Sequence, residues 1–205
     1  MTNAEDLPFG PLDARALHIC IDMQRIFLEP GPWYGEACLS VVEPQRKLIA
    51  HAPGRSLFTR FITAHSVDDA SGCWRQYYRH WQAITQDEAG AAILDICEEL
   101  SPLAHEGNVY DKIGHDAFKS EEFCKRIVRE KPGTLILSGI ETDVCVLATA
   151  MSAIDLGYRT IIATDAVASS VAESHTATLA HIYPRFDQQV ELASVDTIIR
   201  CWSLS

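Results

Sequence analysis

Short, nearly uninterrupted apolar runs alternate along this chain with longer stretches of helical periodicity. Ala16-Leu-His-Ile-Cys-Ile-Asp22 is apolar apart from one histidine and closes on a charge, the pattern of a strand buried on both faces. Arg55-Ser-Leu-Phe-Thr-Arg-Phe61, Thr134-Leu-Ile-Leu-Ser138 and Tyr158-Arg-Thr-Ile-Ile-Ala163 read the same way, with shorter extended pieces at Asn108–Lys112 and Val190–Ala193. Ser40-Val-Val-Glu43 has capping-box spacing and predicts a helix to about Ala52, with Pro44 tolerated in the first turn. Asp87 to Leu100 predicts another, because Ile93, Ile96, Cys97 and Leu100 fall at helical spacing. Ser120 is placed to cap a helix with Phe123, Ile127 and Val128 on its apolar side. Thr142 is placed to cap one that runs to Leu156 and stops at Gly157, and Ser170 with Glu173 opens another. Thr63 to about Thr85 reads as a long irregular connection, although Trp74, Tyr78 and Trp81 have the spacing of one helical face.

Regular alternation of strand and helix predicts an α/β fold: a three-layer α/β/α sandwich around a mostly parallel, Rossmann-like sheet of about six strands. The expected organisation is one domain over residues 1–205, with 1–14 as an extended N-terminal segment. Sheets of this kind bind ligands beyond the C-terminal ends of their strands. That rule singles out Asp22 after the first strand, Lys112 after the third extended piece, and Cys145, which follows the strand of Thr134–Ser138 near a helix N-terminus.

Composition narrows the function. A formal net charge of −11 argues against a general role on nucleic acid or anionic lipid, where phosphate contacts need Lys and Arg. No apolar run reaches the roughly 18–20 residues of a membrane span. The opening Met1-Thr-Asn-Ala-Glu-Asp6 has neither the basic nor the apolar region of a secretory signal. The seven cysteines are odd in number and contain no C-x-x-C pair, so a disulfide framework and a zinc knuckle are not expected. Reduced thiols in the cytoplasm are the expectation, most of them serving as buried hydrophobes.

Each of the three rim residues has an ordinary alternative: a turn Asp, a solvated Lys, a packed Cys. Their value lies in convergence. A free thiol titrates near 8.5 and an Asp near 3.9, so direct proton transfer is uphill by about 4.6 units, or roughly 6 kcal/mol. A helix N-terminus and a neighbouring ammonium are expected to close that gap, since such settings lower thiol pKa values to roughly 3.5–7.5. Lys112 would then hold the thiolate while Asp22 takes the proton and later passes it to a leaving nitrogen.

Four segments give the chain a specific resemblance: Ile21-Asp-Met-Gln-Arg-Ile-Phe27, Asp111-Lys112 with Phe118 six residues beyond, Ser138-Gly-Ile-Glu-Thr-Asp-Val-Cys-Val146, and Thr164-Asp-Ala166. In their order and over about Ala16 to Ile199 they resemble the isochorismatase-like cysteine hydrolases, which include nicotinamidases and N-carbamoylsarcosine amidases. The resemblance implies a catalytic triad of Asp22, Lys112 and Cys145. It also implies a non-proline cis peptide at Ile140–Glu141 and an oxyanion hole from the amides of Glu141 and Cys145. Metal-binding relatives carry an Asp-x-His pair after the second strand. Arg60-Phe-Ile-Thr63 stands there instead, so no metal and no cofactor is expected, with His65 left as an isolated histidine. Relatives with Asp at the nucleophile position act without a thioester, and Cys145 argues against that branch.

Candidates for the substrate pocket are Gln24, as an amide donor, and Phe27, Trp33, Tyr34, Trp74 and Tyr78 as walls, with core or interface packing as the alternative for the aromatics. Arg60 is a carboxylate binder or one half of an ion pair. The expected activity is hydrolysis of a C–N bond in a small amide, ureide or carbamoyl compound through a thioester, by a homodimer or homotetramer. The rivals are a redox-responsive thiol or ligand-binding protein on the same scaffold, a hydrolase of a non-amide substrate, and a metal-dependent hydrolase.

Overall fold

In a computed structural model, residues 6–204 are described, and they form the expected α/β sandwich. The central sheet consists of β1 (Leu17–Ile21), β2 (Ser56–Phe61), β3 (Val109–Lys112), β4 (Thr134–Ile140), β5 (Arg159–Ala168) and β6 (Val190–Ala193). Their order is β3-β2-β1-β4-β5-β6, and each neighbouring pair is parallel. β1 and β4 lie at its centre and every residue in both is buried, which is why they read as continuous apolar runs.

Alternation along β1 divides the core. Leu17, Ile19 and Ile21 face α3 (Glu121–Glu130) and α4 (Leu147–Asp155), packing with Phe123, Ile127, Val146 and Ala150. On the other face, α1 (Val42–His51) and α6 (Val195–Cys201) supply Leu48, Val195 and Ile198 against Ile136 and Ile161. The connection after β2 packs onto that second side through Tyr78, Ile84, Leu94 and Ile96. It contains α2 (Cys73–His80), a helix inside the stretch expected to be irregular. A further helix, α5 (Ala172–Ala177), follows β5.

Several local expectations change. The helix expected from Asp87 to Leu100 is broken: one turn at Gln86–Ala89 ends at Gly90, whose φ of +80° leaves the helical region, and a 3-10 turn at Ala91–Leu94 follows. Ser40 donates to the carbonyl of Ala37 (2.7 Å) instead of capping α1. Thr142 bonds His175 Nδ1 (2.9 Å) instead of capping α4, and α5 has no side-chain cap from Ser170. Ser120 does cap α3, accepting from Phe123 N, but Val128 points to solvent because its position is rotated off the Phe123–Ile127 stripe. β5 runs five residues further than expected, through Thr164-Asp-Ala166 to Ala168. Of the expected N-terminal segment 1–14, residues 1–5 lie outside the described residues; Leu7 and Leu12 are buried, and Leu12 bridges to Trp202.

Candidate active site

The C-terminal ends of β1, β2, β3 and β4 bring Asp22, Phe61, Lys112 and the turn after Ile140 to one rim. Asp22 leaves β1 with φ +51°, a left-handed conformation that Asp tolerates better than most residues. Its N–H is held by the carbonyl of Thr59 (3.2 Å), and its Oδ1 accepts from the Thr59 hydroxyl (2.7 Å). Oδ2 lies 2.7 Å from Nζ of Lys112, and both side chains are fully buried. The ammonium also donates to the carbonyl of Gly114 (2.9 Å) and sits 5.2 Å from the centre of the Phe61 ring, its register partner across β2 and β3.

Gly139 lets β4 close on β1 at this rim. Its φ is +107°, and a Cβ there would collide with the backbone of Ile21. The Ile140–Glu141 peptide that follows is cis. The chain then makes a wide π-type turn over Thr142–Val146 before α4, with the amides of Val144 and Val146 both donating to the carbonyl of Glu141 (3.1 and 3.0 Å). Cys145 stands in that turn, its carbonyl accepting from the Thr149 hydroxyl (2.8 Å) and its buried sulfur close enough to Asp22 and Lys112 for both charges to act on it. The three sequence-predicted residues therefore meet.

Electrostatics correct one expectation. Burial pushes the Cys145 thiol well above its ordinary value, the Asp22 carboxylate adds to the rise, and Lys112 opposes it. Burial works against the charge of Lys112, but Asp22 and the Cys145 sulfur together hold its pKa above the usual lysine value. Burial thus favours the thiol form of Cys145 over the preformed thiolate expected from a helix end.

Beside the sulfur opens a cavity of about 440 Å³, lined by Phe27, Pro32, Trp33, Tyr34, Phe61, Tyr77, Trp81, His115, Glu141, Val144, Cys145, Ser170 and Val171. Phe27, Trp33 and Tyr34 stand where the sequence placed them. Trp74 and Tyr78 do not: on α2 it is Tyr77 that turns to this cavity, with Trp81 just beyond the helix, while Trp74 and Tyr78 border a separate depression next to Thr63 and Gln86. Gln24 is excluded as well. Its amide is wholly buried and used up, donating to the carbonyls of Phe61 (3.1 Å) and Leu94 (2.7 Å) and accepting from Phe61 N (2.7 Å). Arg60 is an ion-pair residue, bound through two nitrogens to Asp111 (2.7 and 2.9 Å).

His115 is the residue that sequence reasoning missed. Nδ1 lies 3.8 Å from the Cys145 sulfur, and the ring stacks on Phe61 (6.0 Å, 9°) and tilts against Trp74 (5.1 Å). Burial first, and then the Lys112 charge, lower its pKa, which favours the neutral imidazole. Its signal was its place, three residues past Lys112 on the same rim.

With this geometry in view, comparison with known proteins is decisive. A family model for the isochorismatase domain matches residues 16–194. The chain belongs to the isochorismatase family. An isochorismatase family protein of Bacillus subtilis is 35% identical over 102 residues, 47% of this chain and 56% of that protein. Maleamate amidohydrolase of Pseudomonas putida is 25% identical over 178 residues, 84% of this chain and 81% of that protein. The chain thus spans about half the length of the first of these curated relatives and most of the second. A cysteine hydrolase from Pseudomonas syringae pv. phaseolicola shares the fold, with a TM-score of 0.75 at 22% identity, covering 91% of this chain and 92% of that one. Among the described residues no helix is long and apolar enough to cross a membrane.

Proposed function

We propose that this isochorismatase-family chain is a cysteine hydrolase that cleaves the C–N bond of a small amide, ureide or carbamoyl compound. One observation carries the reading: the buried Cys145 side chain lies at the edge of an aromatic cavity, within electrostatic reach of the buried Asp22–Lys112 pair.

In the proposed reaction the Cys145 sulfur attacks the carbonyl carbon as its proton passes to Asp22. The negative charge passes from the Asp22 carboxylate to the sulfur and on to the carbonyl oxygen, so it leaves Asp22 only when substrate is present. Lys112 stays cationic throughout and holds the sulfur and carboxylate together. The amides of Glu141 and Cys145 are proposed to receive the oxyanion, where a single such donor is typically worth about 10²–10³ in rate. Asp22 returns the proton to the leaving nitrogen and a thioester remains. Water then adds with Asp22 as base, which releases the acid and restores the thiol.

The test is an ammonia-release screen over small amides and ureides, with Cys145→Ala as the blank and intact mass to detect the acyl-enzyme. The expected result is turnover by the native chain, an adduct on Cys145, and neither in the folded variant. Native-level turnover by Cys145→Ala on the same substrate would overturn the assignment.

A further inference from the structure

The cavity beside Cys145 is unusual in what it lacks. Among the described residues that line it there is no Arg and no Lys; Lys112 is fully buried against Asp22. Burial and the nearby Lys112 charge lower the pKa of His115, which disfavours its cationic form. Among the described lining residues the only carboxylate is that of Glu141. One of its oxygens accepts the N–H of Ser170 (2.9 Å), which fixes the side chain at the cavity edge and leaves the other oxygen without a bond to that loop. The hydroxyl of Tyr77, raised chiefly by burial, is raised further by this carboxylate, as expected if the two share the cavity.

Aromatic rings make up most of the remaining wall. Trp33 is central: it stacks on Phe27 (5.4 Å, 11°) and meets Tyr77 (6.0 Å) and the edge of Trp81 (6.0 Å). Indole and phenol faces carry negative quadrupole potential and attract cations, most strongly when water is excluded. A substrate ending in a carboxylate would face those rings and Glu141 with no positive partner, at the full cost of desolvating an unpaired charge. A cationic end would meet attraction from both.

We propose that this site selects amides whose far end is an ammonium or quaternary ammonium group, held against Trp33, Tyr77 and Trp81 with Glu141 as counter-charge, and rejects amides ending in a carboxylate. This rests on the hydrolase reading for the reacting end of the molecule but not for the charged end.

The experiment uses three amides with the same two-methylene spacer, ending in trimethylammonium, tert-butyl or carboxylate. The first two have nearly the same shape and differ in charge. The expected order of kcat/KM is trimethylammonium, then tert-butyl, then carboxylate, with about tenfold or more between the first two. That ratio falls toward unity in Glu141→Gln and in Trp81→Leu, each scored as a ratio within one variant. A tert-butyl amide equal to or better than the trimethylammonium one, or a carboxylate amide that is the best of the three, overturns the proposal and leaves the hydrolase reading intact.

Binding is measured separately, as protection of Cys145 from iodoacetamide by tetramethylammonium chloride against sodium chloride at equal ionic strength. Protection that is lost in Trp81→Leu, with none of the amides hydrolysed, upholds the cation site while removing the hydrolase reading. No protection and no cationic preference overturns the cation site.

Discussion

Nζ of Lys112 lies 2.7 Å from Oδ2 of Asp22 with neither side chain exposed to solvent, so each charge is the other's main compensation. Removing one member of a buried pair leaves an uncompensated charge, which typically costs about 3–5 kcal/mol. Lys112→Met is therefore expected to destabilise the fold by an amount in that range, measured by urea unfolding. The double variant Asp22→Asn/Lys112→Met is expected to cost less than the sum of the two single changes, because the second removes the charge that the first left stranded. All three variants lose turnover under the proposed function. Additive losses in the cycle would show that the pair contributes no coupling to stability.

The same pair predicts an opposite effect on thiol reactivity. Asp22 raises the pKa of Cys145 and Lys112 lowers it. Asp22→Asn removes the opposing negative charge and keeps the ammonium, so the thiol should ionise at lower pH. Iodoacetamide should then alkylate Cys145 faster in Asp22→Asn than in the native chain at pH 7–8, about tenfold if the pKa falls by one unit, even though turnover is abolished. Slower alkylation in the variant would mean that Asp22 does not oppose the thiolate in the folded protein.

The convergence of Asp22, Lys112 and Cys145 was legible because Lys112 ends an extended segment and Asp22 and Cys145 follow strands, and parallel sheets gather such ends at one rim. The resting charge state was not, since the desolvation of Cys145 depends on how deeply the turn at Thr142–Val146 is packed. Gln24 looked like a substrate donor from its place beside Asp22. Its true partners, Phe61 and Leu94, are 37 and 70 residues away and no local pattern reveals them. On α2, Trp74 and Tyr78 occupy the face next to Tyr77, and spacing alone does not say which face meets the cavity. The chain breaks at Gly90 through its positive φ, which the apolar periodicity of Ile93 to Leu100 does not register.

Gly139 gives a prediction about the rim itself. Its φ of +107° and the carbonyl of Ile21, which occupies the place of any Cβ, leave no room for a side chain. The atoms in the way are backbone of a central strand and cannot rotate aside. Gly139→Ala is expected to cost more than about 4 kcal/mol, the range reached when strain at a special conformation adds to a core clash. Soluble expression and urea unfolding measure this. A variant with a native unfolding midpoint would mean that β4 can slide away from β1 without loss.

A last expectation concerns acid stability and lies away from the cavity. His18 is fully buried in β1, with Nδ1 2.9 Å from the Ser56 hydroxyl and Nε2 2.7 Å from the Ser138 hydroxyl, which in turn donates to Gln45 on α1 (3.1 Å). Desolvation lowers its pKa from 6.5 to about 3. In the unfolded chain the imidazole takes a proton as pH falls through about 6.5, while in the folded protein it stays neutral to about pH 3. The stabilisation is thus fully present above pH 6.5 and is lost progressively as pH falls toward 3, with a limiting slope of about 1.4 kcal/mol per pH unit from this one group. His18→Asn keeps hydrogen-bonding capacity and does not titrate, so urea unfolding between pH 6.5 and 4 should show a slope shallower by close to one proton. Equal slopes in the two proteins would place the acid sensitivity elsewhere.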